Sequence, residues 1–173
     1  IAFSSGSTSE PKGVLHDLSI FLGKFSAPKK SLKTLNFLLF DHVGGLNTLF
    51  YSLFNKATSI IPKVRTVDSI LATCAKHEVQ LLPTTPTFLR MLLMSGCLPE
   101  KISPALERIT YGTEIMDELT LRSLCELLPN VDFRQTYGVS ELGVFTVKSE
   151  SRSSVFFKIG GDGVETRIKN DIL

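Results

Sequence analysis

The sequence has no tryptophan, only three cysteines and three histidines, and no long apolar run. Cys74, Cys97 and Cys125 are odd in number and widely spaced, which argues against a disulfide framework and against the paired spacing of a zinc site. No apolar stretch reaches the ~18–20 residues that a membrane-spanning helix needs. Ile1 already lies in a predicted core strand, so we expect no signal peptide. These absences predict a reduced, cytoplasmic protein without a membrane span.

The charge is nearly balanced, with 19 Lys and Arg against 17 Asp and Glu and a formal net charge of +2. The densest basic pair is Lys29 and Lys30, which is too small for a nucleic-acid surface, and we expect no nucleic-acid partner. Apolar residues make up 43% of the 173 residues, enough for one domain with a hydrophobic core.

Strand and helix patterns alternate along most of the chain. The patterns predict strands over residues 1–4, 34–40, 58–61, 79–82, 108–111 and 132–135. Helical spacing falls between them, over residues 18–25, 44–54, 67–77, 85–94 and 117–128. This order predicts an α/β fold with a largely parallel sheet flanked by helices in three αβα layers. Short β-rich runs at 144–148, 155–158 and 165–169 predict a β-rich C-terminal segment.

Residues 4–13 read SSGSTSEPKG and follow a short apolar run. Glycine and small hydroxyl side chains let backbone N–H groups approach an anion closely, and the hydroxyls are further donors. Lys12 adds a cation, and Pro11 fixes the backbone just before it. The stretch therefore indicates a polyphosphate-binding loop after a strand. Its lysine precedes a glycine, unlike the lysine of the nucleoside-triphosphatase loop.

The order of residues in this loop resembles the phosphate loop of the adenylate-forming superfamily, [ST]-[ST]-G-[ST]-T-G-x-P-K-G. Ser9 stands where the family usually has glycine, the one departure in ten positions. Residues 135–141, QTYGVSE, resemble the family's Y-G-x-[ST]-E motif, and residues 111–114, YGTE, resemble its adenine segment. Three matches in the right order identify the chain as similar to the central part of that family's large N-terminal domain.

The resemblance implies a role for each matching position. It implies that the phosphate loop holds the β- and γ-phosphates of ATP, through Ser5, Gly6, Ser7, Thr8 and Lys12. The family's adenine site would be formed here by Gly112, Thr113, Glu114, Tyr137 and Gly138. The α-phosphate would meet Ser140, and Mg²⁺ would be held by Glu141. The residues expected to act in catalysis are Thr8, Lys12, His42 and Glu141.

Asp41 and His42 lie where a predicted strand gives way to a helix. In one interpretation Asp41 caps the helix and His42 is a packed terminal residue. In the other, implied by the resemblance, His42 lies at the acyl pocket or thiol tunnel. Asp41 would then face a substrate amine if the acid is an amino acid.

The resemblance implies ATP-dependent activation of a carboxylic acid to an acyl-adenylate, and transfer of the acyl group to a thiol. The acceptor would be coenzyme A or a carrier protein, making the full-length protein an acid–thiol ligase of the acyl-CoA synthetase type. Two alternatives stay open: an amino-acid adenylation domain of a peptide synthetase, and a catalytically silent nucleotide-binding module. Asp41 favours the former, and Ser9 favours the latter.

The resemblance also predicts how the chain is divided. Residues 1–143 would form an α/β nucleotide- and acyl-binding core subdomain, and residues 144–173 a β-rich edge segment of the same domain. The family's ribose-binding aspartate and its C-terminal lid domain, with a catalytic lysine, find no match here. We therefore expect this fragment alone to be inactive.

Overall fold

The computed structural model describes residues 1–4, 12–160 and 164–167. Its strands are β1 (Ala2–Ser4), β2 (Lys12–Val14), β3 (Thr34–Leu35), β4 (Ser59–Ile60), β5 (Leu81–Thr84), β6 (Arg108–Tyr111), β7 (Asp132–Gln135), β8 (Tyr137–Val139), β9 (Gly143–Ser149) and β10 (Phe157–Gly160). Its helices are α1 (Leu18–Gly23), α2 (Val43–Phe54), α3 (Val67–Lys76), α4 (Pro86–Met94) and α5 (Glu118–Leu127).

A five-stranded parallel sheet forms the centre of the molecule, in the order β4-β3-β5-β6-β7. The crossover through α2 runs from β3 outward to β4, whereas those through α3, α4 and α5 run in the opposite direction. Because such crossovers are right-handed, α2 lies on one face of the sheet and the other three helices on the opposite face. The predicted α/β fold, with a parallel sheet between helical layers, is confirmed.

The main hydrophobic core lies between the sheet and the helices α3, α4 and α5. Its fully buried side chains come from both layers and include Leu35, Ile70, Leu82, Leu89, Leu92, Ile109, Leu121 and Leu124. Cys74 and Cys125 are also buried there as free thiols, and burial raises the pKa of the Cys74 thiol to about 12. Both cysteines therefore serve as small apolar residues.

The helix ends follow the sequence signals closely. The side chains of Asp17, Thr66 and Thr85 accept hydrogen bonds from the first turns of α1, α3 and α4. Pro86 occupies the first turn of α4, and Gly96 adopts a left-handed conformation (φ 62°) just beyond its end. Each of these residues is of a type that helix ends favour.

Two short antiparallel sheets accompany the parallel sheet. β1 pairs with β2, on either side of the phosphate-loop sequence, and is not a strand of the five-stranded parallel sheet; Ile1 is 77% exposed. The predicted burial of Ile1 is wrong. A second sheet, β10-β9-β8, begins inside the QTYGVSE motif, and its strands β9 and β10 fall on the runs predicted at 144–148 and 155–158. The predicted β-rich C-terminal segment is confirmed.

Three predicted strands differ in their limits. The strand predicted over 34–40 ends at Leu35, because its edge partner β4 ends at Ile60, just before Pro62, whose preference is for turns. The strand predicted over 79–82 shifts to Leu81–Thr84, because Glu78 takes a left-handed conformation (φ 53°) and prolongs the end of α3. Residues 164–167 form no regular strand, and the rest of the predicted 165–169 run lies outside the described residues.

No helix in the described part of the chain is long and apolar enough to cross a membrane. The division into a core of residues 1–143 and an edge segment of residues 144–173 stays a prediction. β9 begins at Gly143, at that boundary, and pairs with β8 on its other side.

Candidate active site

Segments that follow the carboxyl ends of neighbouring parallel strands form the candidate site. In a parallel α/β sheet, ligands bind outside this edge, at the point where successive crossovers change direction. Here the crossovers change direction between β3 and β5. α4 follows β5, residues 112–116 follow β6, and Thr136 leads from β7 into β8.

A cavity of about 440 Å³ lies at this edge, beside the ends of β6 and β7. This volume is within the ~300–1,000 Å³ range of small-molecule sites. Its walls come from three segments: Thr113, Glu114, Ile115 and Met116; Gln135, Thr136, Tyr137 and Gly138; and Val155, Phe156 and Phe157. The structure therefore brings together four of the predicted adenine residues, namely Thr113, Glu114, Tyr137 and Gly138.

Gly112 lies immediately behind this cavity, where the chain leaves β6. A Cβ atom added at Gly112 would lie 2.3 Å from Thr136 Oγ1 and 2.5 Å from the Thr136 carbonyl oxygen. The glycine therefore allows two backbone segments to touch, and its contact is with Thr136. Thr136 fastens the same junction, since its N–H and its Oγ1 both donate to the Tyr111 carbonyl, at 2.7 and 3.1 Å.

The ring of Tyr137 forms part of an aromatic group on the antiparallel sheet. Its centroid lies 6.1 Å from that of Phe145 in a stacked arrangement and 6.0 Å from that of Phe157. Because Tyr137 and Phe157 both line the cavity, this packing holds an aromatic surface at its wall. Such a surface suits a planar base.

Gln135 is the site residue that sequence reasoning missed. Gln135 is one of the residues that line the cavity, and its Oε1 is buried without a hydrogen-bond partner among the described residues. An unpartnered buried acceptor costs free energy unless a ligand supplies a donor. The available signal was its place at the carboxyl end of a predicted parallel strand, directly before the TYGVSE residues.

The structure describes only some of the other residues predicted to bind the nucleotide. Ser5, Gly6, Ser7 and Thr8 lie outside the described residues. Lys12 begins β2 and is exposed, and Ser140 and Glu141 form the turn between β8 and β9, with the Glu141 side chain exposed. Over residues 1–4, 12–160 and 164–167, no three His, Cys, Asp or Glu side chains cluster as a metal site. The Mg²⁺ role of Glu141 stays a prediction.

The sequence profile of the family described as "AMP-binding enzyme" matches residues 1–171. The chain belongs to this family. It is 27% identical over 153 residues to the D-alanine–D-alanyl carrier protein ligase of Bacillus cereus (strain G9842), an alignment covering 83% of this chain and 30% of that protein. It is 25% identical over 189 residues to Acyl-CoA synthetase 7 of Caenorhabditis elegans, covering 99% of this chain and 35% of that protein.

The chain spans about a third of the length of these curated relatives. Among solved structures it resembles the luciferase-like enzyme from the nonluminescent Zophobas morio mealworm, with a TM-score of 0.70 and 22% identity. That match covers 84% of this chain and 35% of the other chain. At this identity the likeness shows the fold alone.

In this member of the AMP-binding enzyme family, the loop after β3 does not end with Asp41 capping α2. His42, not Asp41, is the N-cap of α2, and no side chain caps the helix, so the interpretation of Asp41 as a cap is wrong. Both side chains are more than half exposed, with His42 Nε2 3.9 Å from Asp41 Oδ1. His42 does not line the 440 Å³ cavity. Its role at an acyl pocket or thiol tunnel stays a prediction.

Two buried polar side chains lie between β3 and β5, where the crossovers change direction. Asn36 follows β3, Thr84 ends β5, and they are 2% and 4% exposed. Both amide atoms of Asn36 and the Thr84 hydroxyl have no hydrogen-bond partner in the described ranges. The edge of the sheet beside the cavity therefore carries buried polar groups without partners among the described residues, at the point where ligands bind in parallel α/β sheets.

Lys24 should make stability depend on pH. Burial, and secondarily the charge of Lys29, lower its pKa to about 8, and its Nζ lies 4.2 Å from the Phe21 ring centroid. An unfolded lysine has a pKa near ~10.4, so between pH 8 and that value the unfolded state binds more protons and stability rises with pH. We expect Lys24→Met to raise the urea midpoint at pH 7 and to remove this rise.

Urea unfolding from pH 7 to 10 measures the unfolding free energies of wild type and variant. The difference between these free energies should change by at most ~1.4 kcal/mol per pH unit. Lys63→Met, at an exposed position between β4 and α3, is the control. Parallel pH profiles for wild type and Lys24→Met would contradict the prediction.

Proposed function

We propose that the protein carrying this chain activates a carboxylic acid with ATP and transfers the acyl group to a thiol. The observation that supports this most is the cavity at the carboxyl edge, whose walls are the adenine segment and the QTYGVSE motif. Membership of the AMP-binding enzyme family and the names of the two relatives support the same class of reaction. Coenzyme A or a carrier protein is the proposed acceptor.

The residues present fit an adenine nucleotide. The cavity has an aromatic wall at Tyr137 and one buried acceptor, Gln135 Oε1, without a partner among the described residues. The exocyclic amine of adenine is a donor that would satisfy this acceptor. Glu141 supplies the hard oxygen ligand that Mg²⁺ prefers, and bound Mg²⁺ would neutralise phosphate charge during the reaction.

In the proposed reaction, a carboxylate oxygen of the acid attacks the α-phosphorus of ATP, and pyrophosphate leaves. Two anions must approach each other, so fixed donors and cations account for much of the catalysis. Lys12 and the hydroxyls of Ser5, Ser7 and Thr8 would hold the β- and γ-phosphates. The Ser140 hydroxyl would donate to the α-phosphate, and His42 would border the acyl group or the incoming thiol. The thiol sulfur then attacks the acyl carbonyl, and AMP leaves.

We expect Gln135→Leu to weaken ATP binding about tenfold, because the variant removes the acceptor for the adenine amine while keeping most of the side-chain volume. Inosine triphosphate, which lacks that amine, is the matched ligand: its affinity should change little, so discrimination between the two should disappear. Calorimetric titration of wild type and variant with both nucleotides measures this. Equal losses for both ligands would show that Gln135 does not contact the amine.

An amino acid is the second candidate substrate. The side chain of Asp41 is 62% exposed and does not cap α2, so it is free to face a substrate amine, and one relative is named for D-alanine. Acid-dependent exchange of pyrophosphate into ATP, measured with amino acids and with fatty and aromatic acids, separates the two classes. ATP binding with no exchange for any acid would support the silent nucleotide-binding module.

A cytoplasmic location is the remaining element of the proposal. The three cysteines are free thiols, as in proteins of reducing compartments. Reduced coenzyme A or a reduced carrier thiol would also require such a compartment.

A further inference from the structure

The wall of the cavity formed by residues 113–116 has a strained backbone. Thr113 has φ 71°, in the left-handed region that a β-branched residue rarely adopts. Such a conformation is unfavourable and persists only where surrounding contacts hold it. Those contacts therefore decide the shape of the wall.

Two residues of the neighbouring helix α4 supply the contacts. Thr87, in the first turn, donates from its backbone N–H to Glu114 Oε2 at 3.0 Å, and its hydroxyl donates to the same oxygen. One turn later, Arg90 donates from Nη2 to the Ile115 carbonyl at 2.8 Å and from Nε to Asp117 Oδ2 at 3.0 Å.

The Nη1 of Arg90 also lies 4.0 Å from Glu114 Oε2. One guanidinium thus contacts Glu114 and Ile115 of the wall and Asp117, the residue after it. Asp117 in turn caps α5 through the Thr120 N–H at 2.8 Å, and that bond, with Arg90, lowers the pKa of Asp117 to about 2. Arg90 itself does not line the cavity. It lies behind the wall and fixes both ends of residues 114–117.

We propose that Arg90 is a positioning residue for nucleotide binding, holding residues 113–117 in the conformation that forms one wall of the cavity. The inference rests on the proposed function, since it assigns the adenine end of the ligand to this wall. Arg90 acts through Glu114, Ile115 and Asp117, the residues that follow Thr113, and does not line the cavity. The Glu114 carboxylate accepts the hydrogen bonds from Thr87 and lies beside Arg90, so Glu114 would contact the ligand through its backbone.

The test compares Arg90→Met with Arg122→Met. Arg122 forms an exposed ion pair with Glu118 on α5 and does not touch the wall, so it is a matched control for loss of one arginine. Calorimetric titrations with Mg²⁺–ATP, AMP and inorganic triphosphate give affinity and stoichiometry separately. Hydrogen exchange at residues 113–117, without nucleotide, reports on the wall itself.

We expect Arg90→Met to raise the Kd for ATP and for AMP about tenfold with unchanged stoichiometry. Triphosphate binding should be unchanged, and exchange at residues 113–117 faster. Arg90→Lys should recover only part of the affinity, because one ammonium cannot reproduce the planar fork of donors. A purely structural role would instead lower the stoichiometry and leave the Kd of the remaining sites unaltered.

Unchanged Kd values and exchange rates in Arg90→Met would overturn the role of Arg90 while leaving the proposed function intact. Equal effects of Arg122→Met would overturn it as well. Failure of the unsubstituted protein to bind ATP and AMP would instead overturn the proposed function, and the role of Arg90 with it.

Discussion

Gly45→Ala is expected to destabilise the protein by about 3 kcal/mol or more, because α2 meets the preceding loop through backbone atoms. A Cβ at Gly45 would lie 2.0 Å from the Leu39 carbonyl oxygen and 2.7 Å from the Leu39 carbonyl carbon. The Leu39 carbonyl is held in place by the His42 N–H, at 3.4 Å. Relief of the clash must therefore move α2 or the loop with Asp41 and His42. Urea unfolding followed by circular dichroism measures the loss.

Gly44→Ala is the matched control, one residue earlier in the same helix. The nearest atom to a Cβ at Gly44 is Leu38 Cδ1, at 3.9 Å, an ordinary van der Waals contact. Alanine loses less backbone entropy than glycine when a helix forms, so Gly44→Ala should stabilise by up to about 0.5 kcal/mol. The two neighbouring substitutions should thus have opposite signs, and similar destabilisation by both would contradict the packing described here.

Gly45 also explains why the buried face of α2 could not be predicted. Leu46, Leu49, Phe50 and Leu53 have the spacing of one apolar stripe, yet Leu53 is 61% exposed and the buried residues of α2 are Gly45, Thr48 and Ser52. The helix turns its small residues inward because it lies so close to the Leu39 backbone. Phe50 instead packs on Phe21 of α1, at 5.7 Å between ring centroids. Periodicity alone does not distinguish these two faces.

Local signals predicted the parts of the fold that depend on local chemistry. Caps such as Thr66 depend on local chemistry, because one side chain satisfies the first N–H groups of its own helix. Pro83 shows the limit: we ended the strand before it, yet it lies within β5. The Leu81 N–H points toward β3, donating to the Lys33 carbonyl at 3.1 Å, and alternation directs the Pro83 nitrogen to the same side. β3 ends at Leu35, so no strand hydrogen bond is lost there.

The candidate site also contains some residues that the sequence predicted and others that it did not. The motifs predicted that residues 112–114 and 137–138 belong together, because parallel strands bring their carboxyl ends to one edge. They did not reveal Gln135, whose importance lies in an unpartnered atom, or Arg90, which acts from a different helix. Such contacts depend on how α4 and α5 dock, and no local pattern encodes that docking.

Arg152→Met is expected to cost about 3 kcal/mol of unfolding free energy, because Arg152 closes the C-terminus of α5 from a distant segment. The last turn of α5 has no basic residue of its own. Arg152 Nη1 donates to the carbonyls of Leu128, Pro129 and Val131, at 3.1, 2.9 and 2.7 Å, and Nη2 donates to the Cys125 carbonyl. One guanidinium thus bonds the Cys125 and Leu128 carbonyls at the end of α5 and the Pro129 and Val131 carbonyls of the segment that follows.

Arg122→Met provides the comparison, because it removes the same charge from the surface of the same helix. Its ion pair with Glu118 is about 60% exposed on both sides, and such i,i+4 pairs contribute only ~0.3–0.5 kcal/mol. Urea unfolding should therefore separate the two variants by more than about 2 kcal/mol at equal net charge. Arg152→Lys should fall between them, since an ammonium keeps the favourable charge at the helix terminus but cannot reach all four carbonyls. Equal midpoints for Arg152→Met and Arg122→Met would show that water replaces the guanidinium without loss. A large gap would show that the bonds of Arg152 to the end of α5 stabilise the fold, and Arg152 lies just before Val155, Phe156 and Phe157, which line the cavity.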